Sequence, residues 1–226
     1  MTRKSFLLMA AAAWMAFAFT ACSETDNSAT EYPNWQAANE AHFDSIYNQA
    51  KADSGTDKTW KILNHWSYNT SVVTHNYDKV VVKVMKAGTG TAATPFYTDS
   101  VRVHLQGRIR PSTSHAEGLV FEQTYVGTFN IATASSAKRA VSAVVPGLQT
   151  ALLHMRVGDE WMVYVPYQLG FGSAAGSGVV APATSTKVSI PGHSMLIYRL
   201  TLVSFYRAGQ KVPGASAKAF GSWVDQ

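Results

Sequence analysis

The sequence predicts an α+β domain, an antiparallel β-sheet wrapped on a short helix, with an N-terminal helical segment in front of it. Three observations predict it. From Ser71 onward the apolar residues recur at the two-residue period of strands. One short stretch, Pro146 to Gly158, breaks that period with Leu148, Leu152 and Met155 at helical steps, a proline at its start and a glycine at its end. Before the strands, Trp35, Asn39, Phe43, Ile46, Tyr47 and Ala50 fall at three- and four-residue steps. Strands, one helix, then strands suit helices packed on an antiparallel sheet.

The first 21 residues carry Arg3 and Lys4, then an unbroken apolar run from Phe6 to Phe19, then Thr20-Ala21 before Cys22. This is the layout of an export signal, and the run is shorter than the roughly 20 residues that a bilayer-spanning helix needs. Cys22 is the only cysteine, so it has no intrachain disulfide partner. Phe19-Thr20-Ala21-Cys22 resembles a bacterial lipobox, which implies lipidation at Cys22 and a membrane held through acyl chains. Ser23 after the cysteine points to the outer membrane, with a periplasmic or a surface-exposed chain equally allowed.

The expected boundaries are a signal peptide over 1–21, a polar tether over 22–31, a helical segment over 32–70, the main domain over 71–207 and a tail over 208–226. Asn34 is placed to cap the first helix and Gly55 to stop it. The piece from Thr59 to Trp66 is too short and too aromatic to stand alone. Both N-terminal pieces therefore pack on the domain or on a second copy of the chain, which leaves a homodimer through the helix open. Val101 to Ile109 alternates as a half-buried strand, Trp161 to Val165 is another, and Ser194 to Tyr206 is the last. Gly170 to Gly178 is expected to be a mobile loop, and the tail to be polar apart from Phe220 and Trp223.

Composition excludes several functions. The chain is 46% hydrophobic and only 15% charged, with a net charge of +5 that loses two units when Arg3 and Lys4 leave with the leader. Its basic residues are scattered, so no nucleic-acid partner is expected. The seven histidines show no paired short spacing, and neither a metal nor a cofactor is implied. Gly170-Phe171-Gly172 has no following Gly-Lys-Ser/Thr and is not a phosphate cradle.

Four ordered pieces carry a resemblance. They are Val103-His104-Leu105-Gln106-Gly107; Gly118 to Phe121-Glu122; Val144-Val145-Pro146-Gly147-Leu148 running on to Met155-Arg156-Val157-Gly158-Asp159; and Val165-Pro166 to Phe171-Gly172, followed by Ile190-Pro191-Gly192 and the strand Leu196 to Leu202. Together they resemble the FKBP-type peptidyl-prolyl cis/trans isomerases. The resemblance implies an FKBP-like sheet and isomerisation of Xaa-Pro bonds in proline-containing peptides or unfolded exported proteins of the cell envelope. It implies Phe121, Glu122, Phe171 and Tyr198 as catalytic, and Leu105, Phe129, Val144, Val145, Leu148 and Ile190 as substrate-binding, with a backbone N–H at Ile190 holding the substrate carbonyl. The chain departs from the family at four positions. Leu105 stands for a Tyr, Glu122 for an Asp, Leu148 for a Trp and Phe171 for a Tyr. Those departures leave a second expectation open, a catalytically weak or inactive peptide-binding lipoprotein.

Overall fold

A computed structural model describes residues 31–69, 71, 75–90, 92–179, 187–210, 216–218 and 221–225. The leader, Cys22, the tether up to residue 30 and Phe220 lie outside these residues.

The chain from Asn34 onward forms one compact unit. It runs helix α1 (Trp35–Asp53), β1 (Trp60–Asn64), β2 (Lys79–Lys86), β3 (Ser100–Ile109), β4 (Val120–Gln123), β5 (Ala137–Ala140), helix α2 (Pro146–Leu152), β6 (Glu160–Val165), β7 (Gly176–Val179), β8 (Lys187–Ile190), β9 (Leu196–Ala208), β10 (Ser216–Lys218) and β11 (Gly221–Val224). All strand pairings among the described residues are antiparallel.

The long strand β9 organises the sheet. Along one edge it pairs with β3 from Leu196 to Tyr206. Along the other it pairs first with β6, from Leu196 to Thr201, and then with β11, from Phe205 to Ala208. Beyond β6 come β2 and β1, and β3 carries β4 and β5 on its outer edge.

The period-two pattern gives the sheet two unlike faces. Val163 lies opposite both Val82 and Tyr198, and Val165, two residues on, shares its face. Helix α2 packs on that face. A Cβ on Gly147 would meet Val165 Cγ1 at 2.3 Å, so only glycine lets the helix approach this closely. Pro146 occupies the first turn, where its missing N–H costs nothing.

Helix α1 covers the other face. Its stripe of Phe43, Tyr47 and Ala50 packs with Trp60, Val81, Met195 and Ile197, and Met162 and Tyr164 border the cluster. Fully burying one such large side chain contributes about 1.5–3 kcal/mol. Asn39 ties the helix to β9, accepting the Met195 N–H at 3.0 Å, and the Trp35 indole donates to Ser194 Oγ at 2.8 Å.

Four expectations are corrected. Trp60–Asn64, placed in a helical segment over 32–70, is strand β1, because it pairs antiparallel with Lys79–Lys83 of β2. Asn34 does not cap α1 through its side chain. It adopts a left-handed backbone with φ 48°, and its carbonyl takes the Ala38 N–H at 2.9 Å. The glycine-rich stretch after Gly170 is not all loop, since Gly176–Val179 pairs with Lys187–Ile190 as a hairpin. The tail is not wholly outside the domain. In β11, Val224 is fully buried and Trp223 packs on Tyr206 at 5.3 Å beneath the Arg102 guanidinium.

Candidate active site

The α2 face of the sheet carries a cluster of three aromatic rings. Phe121 on β4 meets Tyr198 on β9 edge to face, with centroids 5.6 Å apart and planes at 85°. It meets Phe171 at 6.1 Å and 77°. Edge-to-face pairs set the positive ring edge against the negative face and are favoured over flat stacking. Phe121 and Tyr198 are almost wholly buried, and Phe171 is half-buried at the rim.

Local backbone irregularities hold these rings. Glu122 lies opposite Gly107 and Val120 opposite Arg108, so Phe121 between them is the extra residue of a β-bulge. Gly107 lies opposite Tyr198 in the next strand pair. A Cβ there would stand 2.7 Å from Tyr198 Cε1 and 2.8 Å from Phe121 Cζ, so the two rings close over a position only glycine can fill. Gly176 plays the same part for Phe171, where a Cβ would lie 2.8 Å from Cγ.

Leu105 is buried two residues before Gly107 on the same face, and Leu148 is buried in the first turn of α2. Val144 and Val145 are half-buried in front of that helix. Val145 is its N-cap residue, and its N–H has no hydrogen-bond partner among the described residues, while its carbonyl takes the Leu148 and Gln149 N–H groups. Ile190, fully buried, sits in β8 opposite Gly176.

Phe129 is not part of this cluster. Its ring lies 5.3 Å from His104, 4.9 Å from Tyr125 and 5.6 Å from the Arg199 guanidinium. His104 and Arg199 alternate with Leu105 and Tyr198, so Phe129 packs on the opposite face of the sheet. The reason lies in the segment between β4 and β5, which crosses over the outer face and carries Phe129 with it.

Glu122 is at the cluster's edge and pairs with Arg139 of β5 at 2.9 Å. Burial, and then the Glu122 carboxylate, push the Tyr198 hydroxyl far above the usual tyrosine range, so it stays neutral at all ordinary pH. The site is therefore apolar and uncharged where the three rings meet.

Residues 92–203 match the family described as FKBP-type peptidyl-prolyl cis-trans isomerase. The chain carries an FKBP-type domain. Two relatives agree. The chain is 30% identical over 122 residues to the peptidyl-prolyl cis-trans isomerase Mip of Coxiella burnetii, covering 54% of this chain and 43% of that protein. It is 34% identical over 99 residues to the FKBP-type 22 kDa peptidyl-prolyl cis-trans isomerase of Escherichia coli, covering 44% of this chain and 42% of the relative. The chain thus spans less than half the length of these relatives. Among solved structures it is similar to FkpA from Escherichia coli, at 19% identity and a TM-score of 0.48, over 89% of this chain and 72% of that one.

Within the FKBP-type domain the structure gathers Phe121, Phe171 and Tyr198, buries Leu105 and Leu148 on the same face, and sets Phe129 apart. Reading the sequence missed Gly107 and Gly176 as the seats of the rings and Arg139 as the partner of Glu122. It named the Ile190 N–H and did not consider that of Val145, which has no hydrogen-bond partner among the described residues. Gly107 stands within a strand that the alternation did predict, but the ion pair joins residues 17 positions apart and had no local signal.

Proposed function

We propose that this FKBP-type domain catalyses cis/trans isomerisation of Xaa-Pro bonds in exported proteins, held in the cell envelope by a lipid on Cys22. The observation that carries the catalytic reading is the three-ring cluster of Phe121, Phe171 and Tyr198 over Gly107.

Rotation about a prolyl bond crosses a barrier of about 18–20 kcal/mol because amide resonance is lost at the twisted geometry. The twisted amide has less charge separation than the planar one. An apolar cluster therefore disfavours the planar ground state more than the transition state, and that difference lowers the barrier. The reaction needs no proton transfer. The proline ring is read as seated against the three aromatic rings, with the preceding carbonyl accepting the Val145 N–H. Leu148 makes a smaller floor than an indole would, which suits turnover of varied polypeptides better than tight retention of one.

The envelope assignment rests on the leader: Arg3 and Lys4, the apolar run Phe6–Phe19, and Cys22 directly after Thr20-Ala21. Cells fed radiolabelled palmitate should incorporate the label into the wild-type chain and not into a Cys22→Ser variant.

The catalytic reading is tested by proline-limited refolding of a model substrate with the leaderless chain, beside Phe121→Leu. Wild type should accelerate the slow phase, and the variant should lose about tenfold in kcat/KM, equivalent to about 1.4 kcal/mol of transition-state stabilisation. Identical rates with no protein, wild type and variant would leave a peptide-binding module without catalysis.

A further inference from the structure

A cleft of about 500 Å³ opens on the α1 side of the sheet, between α1 and the turn that follows β6. It lies within the size range of small-ligand sites, about 300–1,000 Å³. Its floor is Phe43 and Met195, and its walls include the rings of Tyr77 and Tyr167. Glu40 and Asp44, four residues apart and so on one side of α1, stand at its mouth.

The polar groups of this cleft are strongly one-sided. Glu40 and Asp44 offer carboxylate oxygens, and Gln168 Oε1 is buried with no partner among the described residues. Asp44 uses one oxygen to accept from Asn76 at 3.0 Å, and Glu40 accepts from Gln36 at 3.0 Å. Among the described residues no Lys or Arg lines the cleft. Elsewhere in this chain aromatic rings are covered by cations, as Lys83 lies 4.6 Å over Trp60 and Lys79 5.3 Å over Tyr47. Here Tyr77 stacks on His75 at 4.6 Å and Tyr167 meets His193 edge to face at 4.9 Å, and among the described residues no Lys or Arg stands over either ring, in a molecule whose net charge is positive.

We propose that this cleft is a second binding site, which takes the ammonium or guanidinium group of a lysine or arginine side chain on a polypeptide. A carboxylate pair gives charge-assisted hydrogen bonds, and the Tyr77 and Tyr167 faces attract the cation through their ring quadrupoles. The aliphatic stem of either side chain lies against Phe43 and Met195. One turn connects this cleft to the three-ring site. The Tyr167 carbonyl accepts N–H groups from Gly170 at 3.0 Å and Gly172 at 2.8 Å, the two residues that flank Phe171. A polypeptide that anchors a basic residue here is thus held at the turn that carries Phe171.

The site does not depend on the isomerase reading, and its probe contains no proline. Acetyl-Gly-Lys-Gly-amide and its norleucine counterpart are titrated into isotope-labelled leaderless chain, following the Gln168 side-chain amide and the rings of Tyr77 and Tyr167 by NMR. The lysine peptide should give saturable shifts and the norleucine peptide none. Glu40→Gln with Asp44→Asn should weaken binding at least tenfold. Asp44→Asn alone, at an exposed position, should weaken it severalfold with the fold intact by circular dichroism. No saturable shift with lysine, equal shifts from both peptides, or unchanged affinity in Asp44→Asn would each overturn the assignment. Refolding catalysis, measured separately, reports on the three-ring site.

Discussion

Gly107 faces Tyr198 across the β3–β9 ladder, and a Cβ on it would lie 2.7 Å from Tyr198 Cε1. The atoms it meets belong to rings that are themselves packed edge to face, so neither can yield without disturbing the other. Gly107→Ala should therefore both destabilise the domain and damage the site. Overpacking of this kind costs about 1–3 kcal/mol. Urea unfolding should show a lowered midpoint with an unchanged slope, and prolyl isomerase activity should fall more steeply than stability. A variant with wild-type activity would show that the rings can separate freely.

The Glu122–Arg139 pair is a weaker matter than its 2.9 Å distance suggests. Both side chains keep solvent access, 27% for Glu122 and 41% for Arg139, so screening leaves little net attraction. A double-mutant cycle with Glu122→Gln and Arg139→Gln should give a coupling energy below about 1 kcal/mol. Catalysis should change less in Glu122→Gln than in Phe121→Leu, because the rings remain in place. A loss in Glu122→Gln that exceeds the loss in Phe121→Leu would move the chemistry from the rings to the carboxylate.

How much of this was legible in the sequence follows from the range over which each feature is determined. The α1 stripe, the β3 alternation and the Pro146 start of α2 are local patterns, and each reappears in the structure. β1 was misjudged because Trp60–Asn64 is five residues long, too short for its period to separate strand from helix, and only pairing with β2 decides. Phe171 and Tyr198 were reachable through the motifs around them. Phe129 was not, since it stands in the segment between β4 and β5, whose path over the outer face is set by contacts with His104, Tyr125 and Arg199. The cleft beneath Tyr167 involves residues from α1, the approach to β2, the turn after β6 and the start of β9, and no local motif unites them.

Arg207 near the end of β9 pairs with Asp99, the residue before β3, with an Nη2–Oδ2 distance of 2.9 Å. The two side chains are only 10% and 2% exposed, so little water screens them. Arg207 also donates to the Thr94 carbonyl at 2.8 Å and lies over Phe96, while Asp99 accepts the Phe96 N–H at 2.8 Å. Removing one member leaves the other charge buried and unpaired. Arg207→Ala should cost about 3–5 kcal/mol, measured by urea unfolding. Arg207→Lys should recover only part, because an ammonium cannot reproduce the planar fork that reaches Asp99 and Thr94 together. Full recovery by lysine would show that charge alone, and not the fork, is what this position needs.

Stability should fall on both sides of neutrality, for separate reasons. Burial lowers the pKa of His42, and the nearby Arg110 charge adds to it; burial also lowers that of His65, against a smaller opposing pull from Asp78. The unfolded chain then binds protons before the folded one does. Their contribution is present above the ordinary histidine pKa of about 6.5 and is lost as pH falls below it. On the alkaline side, burial raises Tyr198, Tyr164 and Tyr125. The folded chain keeps those protons after the unfolded chain has released them, so stability declines above the ordinary tyrosine pKa of about 10. His42→Leu, which removes a buried ring nitrogen with no partner among the described residues, should flatten the acid limb. Tyr198→Phe should flatten the alkaline limb and leave the acid one alone. Midpoints of urea unfolding across pH 4 to 11, about the span these groups cover, test both; limbs unchanged in the two variants would assign the pH dependence to other groups.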